Sequence, residues 1–363
     1  MTSEAGKDYD VTLARLNNGA YTIYAMNIGH TLGLFELMDK HTSAESPKTS
    51  QEIADLGHFR ERYVREWLCA LAAAFVLECD DSGERFWLPT GALQKLTTGM
   101  SGMVMDMVTD MHDIVPLVTE CFRLDGPLGT RYDQYPNFHK CITRFTGVVY
   151  RTALVNTILP RTLGAKFVET LKTEKLKCLD VGCGTGEAMK VMAESFPKSQ
   201  FFGLDLDAEG LEIARAKTTT LGNVEFRRGD ASRLEAQTDW IGQLDLVCIF
   251  DALHDQAYPD KCIRGITQLL KPGGFMLCAD VNGTGNVAED RKLDPLTKGA
   301  WYTLSLLHCM PVSLYYPDGL GYGNQWGVAR ALKLMADNGM ENVQVKLNEE
   351  DKINAFYVWQ KPE

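Results

Sequence analysis

Lys177-Cys178-Leu179-Asp180-Val181-Gly182-Cys183-Gly184-Thr185-Gly186 is the stretch on which the fold turns. A short apolar run enters three closely spaced glycines, and Glu187 to about Phe196 is predicted to follow as a helix. Gln200-Phe201-Phe202-Gly203-Leu204 reads as a second strand closed by Asp205, and Val224-Glu225-Phe226 as a third that runs into Gly229-Asp230-Ala231. A strand, a glycine turn, a helix and a strand with a terminal carboxylate make the layout of a nucleoside site in a doubly wound sheet. Closely spaced glycines let the main chain approach a ligand where a Cβ would clash. Asp205 lies about twenty residues past the loop, where a carboxylate accepts two hydrogen bonds from a ribose diol.

The same glycine pattern also precedes dinucleotides, but two features favour S-adenosylmethionine. Asp180 opens the loop, where a carboxylate meets a positively charged amino group and repels a pyrophosphate. Asp230 supplies a further acid after the third strand, placed to meet an adenine amino group. Asp180 to Gly186, Asp205 and Gly229-Asp230 resemble, in order and spacing, the motifs of the class I S-adenosylmethionine-dependent methyltransferases. The resemblance implies that Asp180, Gly182, Gly184 and Gly186 form the cofactor loop and that Asp205 accepts from the ribose. It places Leu206, Asp230 and Ala231 at the adenine, and Phe250 with Asp251 along the methionine portion. The structural alternatives are a plain glycine turn, helix-capping acids at Asp205 and Asp230, and a core leucine at Leu206.

The 363 residues and 40.5 kDa suit two domains, and 45% apolar with 23% charged residues describe a soluble globular chain. No run reaches membrane-spanning length, and the first residues lack the basic and apolar parts of a signal peptide, so the cytoplasm is expected. The ten cysteines are dispersed, mostly in apolar runs such as those of Cys69, Cys178, Cys248 and Cys278, with no CxxC pair. They read as reduced core residues without a metal role. A net charge of -11 with no long basic run disfavours nucleic acid and membrane surfaces, and a small molecule is the expected partner.

Residues 1 to about 9 are expected to be a disordered tail. Apolar residues recur at helical spacing from Thr12 to Met38, interrupted by Gly29 and Gly33; helices are predicted at Ser50 to Leu56 and Arg60 to Ala74. Val76 to Cys79 and Arg85 to Leu88 flank the turn Asp80-Asp81-Ser82-Gly83 as a hairpin. Helices followed by a hairpin make a winged-helix module, although Arg60, Arg62 and Arg65 alternate with Glu61 and Glu66 as on an ordinary solvated face. In small-molecule methyltransferases that the chain resembles, such a domain dimerises and helps to close the substrate site, so a homodimer is expected. The methionines Met100, Met103, Met105, Met107 and Met111 suit a core or a subunit interface. The loop from Gly126 through Tyr132, Tyr135 and Phe138 suits a pocket wall, and Thr143 to Leu159 a helix. Domains are drawn at 1–95, 96–172 and 173–363.

Leu244 to Phe250 is the fourth strand, followed by a helix from Pro259 to Leu270, a turn at Lys271-Pro272-Gly273-Gly274 and a fifth strand from Phe275 to Ala279. Asp280 to Pro295 is polar and Trp301 to Trp326 aromatic. A helix near Val328 to Asn338 and strands at 343–347 and 355–359 complete the sheet. The expected fold is α/β: a doubly wound seven-stranded methyltransferase sheet behind a mainly helical, winged-helix-like N-terminal domain.

The fourth strand delivers His254 and Asp255 to the carboxyl edge of the sheet, where doubly wound folds hold their ligands. Leu253-His254-Asp255 followed by Tyr258-Pro259-Asp260 resembles the histidine-aspartate segment of small-molecule O-methyltransferases, which implies His254 as catalytic base; Gln256 stands where that segment usually has tryptophan. The alternative is a histidine that only shapes the pocket. His112, His139 and His308 are possible pocket residues, with packing or surface placement the leading reading. Asp110, His112, Asp113, His254 and Asp255 match no metal motif. The aromatic cluster from Trp301 to Trp326 suits either an aromatic or methylammonium acceptor or an interface core. Methyl transfer to oxygen or nitrogen of a small molecule is the leading expectation. A catalytically inactive regulatory or scaffolding protein and a protein methyltransferase are the alternatives.

Overall fold

The computed structural model describes residues 9–136, 138–348 and 351–363, apart from the side chains of residues 99, 100, 140 and 352. The expected tail falls outside the described residues except for its last position. The chain forms two compact units, Met1–His112 with Lys140–Phe145, and Asp113–His139 with Thr146–Glu363, so that the segment 96–172 is shared between them.

In the first unit a helix over Tyr9–Leu32 stops at Gly33 and resumes as Leu34–His41. Gly29 does not break it. A Cβ there would lie 2.4 Å from the Trp67 ring, whose Nε1 donates to the Ala25 carbonyl at 2.8 Å, so glycine is what lets the two helices touch. Strand β1 (Lys48–Thr49) leads into a helix over Ser50–Gly57, which starts on a capping box between Thr49 and Glu52. A helix over Glu61–Ala73 follows, then β2 (Glu78–Cys79) and β3 (Arg85–Trp87), which order as β1-β3-β2. Phe35, Met38, Ile53, Trp67, Leu68, Leu71, Leu77 and Phe86 fill the core of this winged-helix module. Arg62 pairs with Glu66 at 2.5 Å and Arg65 with Glu61 at 2.7 Å along their own helix.

The second unit is built on seven strands: β4 (Lys177–Val181), β5 (Gln200–Asp205), β6 (Val224–Arg228), β7 (Leu244–Phe250), β8 (Leu270–Val281), β9 (Gln344–Asn348) and β10 (Asp351–Gln360). Their order is β6-β5-β4-β7-β8-β10-β9, parallel except for β10, which runs antiparallel to both neighbours. Order reverses between β4 and β7, so the ends of these strands open the crevice that a doubly wound sheet offers a ligand. One face packs the helices Ala165–Thr173 and Glu187–Ser195, the other Pro259–Leu269 and Val328–Asp337.

Two segments differ from expectation, and a third carries helices where no element was expected. The Lys271-Pro272-Gly273-Gly274 turn lies inside β8 as an irregularity, five residues of β8 advancing against two of β7 between the pairs Leu244–Leu270 and Leu246–Phe275. The helix expected over Thr143–Leu159 runs from Phe138 to Leu163 and is π-helical over Tyr150–Ile158. The region after β8 is largely helical, over Val287–Leu293 and Lys298–Leu314, with a π-helical turn at Ser305–Cys309. No described helix is long and apolar enough to cross a membrane.

Candidate active site

Asp180 sits in β4 beside Gly203 of β5 and Cys248 of β7, with only 3% of its surface exposed. Its buried Oδ1 has no hydrogen-bond partner. Burial, reinforced by the charge of Asp205, holds the carboxyl well above the usual range. Gly182, Gly184 and Gly186 then turn the chain with φ of 74°, 51° and 71°, which side chains adopt only under strain. A Cβ on Gly186 would lie 2.6 Å from the Phe226 ring, whereas one on Gly184 would meet nothing within 4 Å. The loop is thus closed toward the sheet and open on the side where a ligand would lie.

The end of β5 pins this loop. The Gly182 and Cys183 N–H groups donate to the Leu204 carbonyl, and the Gly184 N–H donates to Asp205 Oδ2 at 2.7 Å. Asp205 Oδ1 accepts from the Asp207 N–H at 2.9 Å. Each carboxylate oxygen keeps a second lone pair for a hydroxyl. Leu206 beside it is 46% exposed, and His139 Nε2 approaches Asp207 Oδ2 at 2.7 Å. Asp230 caps the turn Ala231–Ala236 by accepting from the Ser232 N–H, so the capping role is present, and Ala231 is buried beneath it.

Phe250 ends β7 with its ring 5.6 Å from that of Tyr150. Asp251 follows at φ 51°, a strained conformation held by its N–H on the Ala279 carbonyl and by Asn354 Nδ2 donating to its carboxylate at 3.2 Å. Burial, with Asp351 and Asp280 adding repulsion, pushes its carboxyl up to about 8. Asp205 is raised by burial too. Buried carboxyls that are costly to ionise, one with an orphaned oxygen, suit a ligand that brings positive charge. Glu187 shows the contrast, being met by Arg151 at 2.5 Å and Lys217 at 3.4 Å. S-adenosylmethionine, with a sulfonium and an amino group, fits these residues.

His254 is 4% exposed just beyond β7. Its main-chain N–H donates to Asp280 Oδ2 at 3.2 Å and its Nδ1 lies 2.6 Å from Asp280 Oδ1, so Asp280 fixes ring and tautomer together. Nε2 lies 3.2 Å from Asp255 Oδ1, off the hydrogen-bonding direction, and that buried oxygen has no hydrogen-bond partner. Burial alone would depress the imidazole, but Asp255 and Asp280 outweigh it and hold it well above its ordinary value. Reciprocally, burial would raise Asp255, yet the His254 charge keeps it below the usual range. Donor atoms of His254, Asp255 and Cys309 lie within 4.8 Å of one another and could hold a metal ion. Burial and Asp255 push the Cys309 thiol up to about 12.

Sequence reasoning brought together Asp180, the glycine loop, Asp205, Phe250, Asp251 and His254 but missed Asp280, Tyr150 and Asn354. A signal existed for Asp280 alone. It is a carboxylate near the end of a parallel strand, the same pattern as Asp180 and Asp205.

Residues 172–308 match a model described as a methyltransferase domain, and residues 20–98 match an Rv2258c-like winged HTH domain. Two successive segments of the chain thus match a winged helix–turn–helix domain and a methyltransferase domain. Among solved structures it is similar to an O-methyltransferase family protein from Burkholderia thailandensis, at TM-score 0.69 and 16% identity over 100% of this chain and 99% of that one. Human N-acetylserotonin methyltransferase in complex with SAM is similar at TM-score 0.66 and 17% identity over 100% of both chains. Among sequences, a ubiquinone biosynthesis O-methyltransferase of Leptothrix cholodnii is 31% identical over 113 residues, 31% of this chain. A phthiotriol/phenolphthiotriol dimycocerosates methyltransferase of Mycobacterium ulcerans is 26% identical, also over 113 residues and 31% of this chain. The matched segments span 46% and 40% of those two relatives' own lengths.

Proposed function

We propose that the protein transfers a methyl group from S-adenosylmethionine to oxygen or nitrogen of a small molecule, with His254 as general base. The observation that carries this reading is the Asp280–His254 pair at 2.6 Å, next to the strand ends that present the orphaned Asp180 carboxyl. Asp180 and the glycine loop would hold the amino-acid end of the cofactor, Asp205 the ribose, and Leu206, Asp230 and Ala231 the adenine, with Phe250 along the methionine chain. When bound, the cofactor supplies a methyl group whose carbon–sulfur bond breaks toward a neutral thioether. His254 Nδ1 donates to Asp280, which leaves Nε2 to take the acceptor's proton as the acceptor atom gains its bond to carbon. A base only 4% exposed suits a small acceptor that enters the site better than a side chain on a folded protein. Isothermal titration with S-adenosylmethionine, followed by mass spectrometry of a metabolite extract incubated with methyl-labelled cofactor, is expected to give micromolar-range binding and a labelled small product. Binding without any labelled small product would overturn the catalytic reading.

The proposed assembly is a homodimer through the N-terminal domain. The helix Tyr9–Leu32 leaves Leu16, Tyr21, Ile28 and Leu32 exposed, more apolar surface than a monomer ordinarily shows along one helix. Light scattering should give twice the 40.5 kDa chain mass; a single-chain mass would refute the dimer. All ten cysteines are free thiols, which supports a reducing compartment, and the cytoplasm is the proposed location.

A further inference from the structure

The loop after β7 and the π-helical turn Ser305–Cys309 bring three unlike donors together. One ligand atom each of His254, Asp255 and Cys309 lies within 4.8 Å of the other two, and His254 Nε2 stands 3.2 Å from Asp255 Oδ1. Tetrahedral zinc, with bonds of about 2.0 Å to nitrogen or oxygen and about 2.3 Å to sulfur, spaces its ligand atoms about 3.3–3.8 Å apart, so shifts of about 1 Å complete such a shell here. The outer partners of a metal site are already in place. Asp280 holds Nδ1 at 2.6 Å and leaves the lone pair on Nε2, the carboxylate–histidine arrangement that orients ligating imidazoles. Asn324, itself 1% exposed, donates from Nδ2 to Cys309 Sγ at 3.5 Å. Asp255 Oδ1 is buried and accepts no hydrogen bond. Among the described residues the only ion partner of Asp255 or of Asp280 is His254 itself, so two carboxylates share one imidazole and a divalent cation would balance them. Magnesium and calcium keep to oxygen; zinc takes nitrogen, oxygen and sulfur together.

We propose that His254, Asp255 and Cys309 form a zinc site with its fourth position open, and that zinc bound there switches methyl transfer off. The cysteine comes from beyond β8 and the other two from just past β7, so no spacing in the sequence announces the set, and the cysteines read there as having no metal role. As the metal–sulfur bond forms, the thiol proton passes to solvent. Zinc takes the Nε2 lone pair, the one that otherwise accepts the acceptor's proton, and an occupied site therefore has no base. Asp180 and Asp205 are not among the ligands, so cofactor binding is left intact. The switching half of the inference rests on the reading of His254 as general base; the zinc site itself does not.

The test begins with cobalt(II), a spectroscopic stand-in for zinc, titrated into the reduced full chain. A single equivalent is expected to give a thiolate-to-cobalt charge-transfer band that zinc then displaces. Cys309→Ala should abolish the band, whereas Cys69→Ser and Cys79→Ser, at the exposed thiols, should leave it. Asp280→Asn removes only an outer partner of the imidazole and should weaken zinc binding by about 10- to 100-fold. X-ray absorption on the zinc-loaded wild type should find one sulfur at about 2.3 Å among nitrogen and oxygen neighbours at about 2.0–2.2 Å, a readout that needs no folded variant. No band, a band that survives Cys309→Ala, or a zinc shell with no sulfur or with two, overturns the site. In the methyl-transfer assay, saturating zinc should lower wild-type turnover roughly tenfold or more, and Cys309→Ala should keep its turnover and need roughly tenfold more zinc to lose it. Zinc that fills the site and leaves turnover unchanged, or raises it, overturns the switch. A Cys309-dependent cobalt band in a protein that transfers no methyl group would sink the proposed function and leave the zinc site standing.

Discussion

Asp180→Asn is expected to make the free protein more stable and its affinity for S-adenosylmethionine much weaker. The two effects share one cause. In the free protein the Asp180 carboxyl is buried, repelled by Asp205 and short of one hydrogen bond, so its pKa stands well above the ordinary carboxylate value. A carboxyl raised on folding contributes stability that is complete below its unfolded pKa, about 3.9, and is lost as pH rises through the folded value. The amide carries no such liability, so the melting temperature of the variant should exceed the wild type's by more at pH 8 than at pH 5. A cationic ligand reverses the balance by giving the carboxylate a partner. Removing one member of a buried charge pair costs about 2–5 kcal/mol, or roughly 30-fold to several thousandfold in affinity. Differential scanning calorimetry and titration of the same preparations read both signs. Affinity within about threefold of wild type would overturn the assignment of Asp180 to the cofactor's positive end, whatever the change in melting temperature.

Affinity should also follow pH through Asp251, whose carboxyl is pushed up to about 8. The free protein holds it mostly protonated at neutrality, and a ligand that prefers the carboxylate must displace that proton. Binding therefore strengthens as pH rises toward 8. It should weaken again above that as the ligand's own α-amino group, with a pKa of about 8, loses its charge.

What could be read from the chain alone was whatever is local in sequence. Asp180, Gly182, Gly184 and Gly186 sit within seven residues, and the backbone angles they need are written in the glycines themselves. Asp205 and His254 were legible because a parallel strand ends at the first and shortly before the second, and strand ends are marked by a switch from apolar to polar residues. The remainder depends on contacts between distant segments. Asp280 stands 26 residues beyond His254, and only the β7–β8 register brings them together. His308 read as a packing or surface residue because nothing near it in sequence shows that Phe138, from 170 residues earlier, will lie flat against it. Gly29 looked like a helix breaker for the same reason; the Trp67 ring that requires it belongs to another helix. The π-helical turns are invisible to periodicity, since a single widened turn shifts the apolar pattern by one residue and blurs it.

Asp280→Asn should reduce turnover by about 10²- to 10⁴-fold, close to the loss in His254→Ala, while each leaves cofactor affinity nearly intact. Asp280 accepts from both the main chain and the ring of His254, and an asparagine can present its NH₂ to Nδ1, which stabilises the tautomer that carries its proton on Nε2. A ring in that tautomer cannot accept a proton from the acceptor, although it sits in the same place. Combining the two substitutions should add little to either alone, because residues that act as one unit are not additive. The pH profile separates a base from a histidine that shapes the pocket. Asp255 and Asp280 hold the wild-type imidazole above its ordinary value, so kcat/KM should climb with pH through a midpoint above 6.5. Asp255→Asn removes one of the two charges that raise it, and the midpoint should move to lower pH, giving a relative gain in activity on the acid side. Stability runs the other way. A histidine raised on folding stabilises most below its unfolded pKa and loses that contribution as pH rises through the folded value, so the wild type should be more stable at pH 6 than at pH 9 by a margin that shrinks in Asp255→Asn. A flat kcat/KM profile between pH 6 and 9, with His254→Ala retaining wild-type turnover, would leave His254 as a shaping residue and move proton removal onto the acceptor's own acidity.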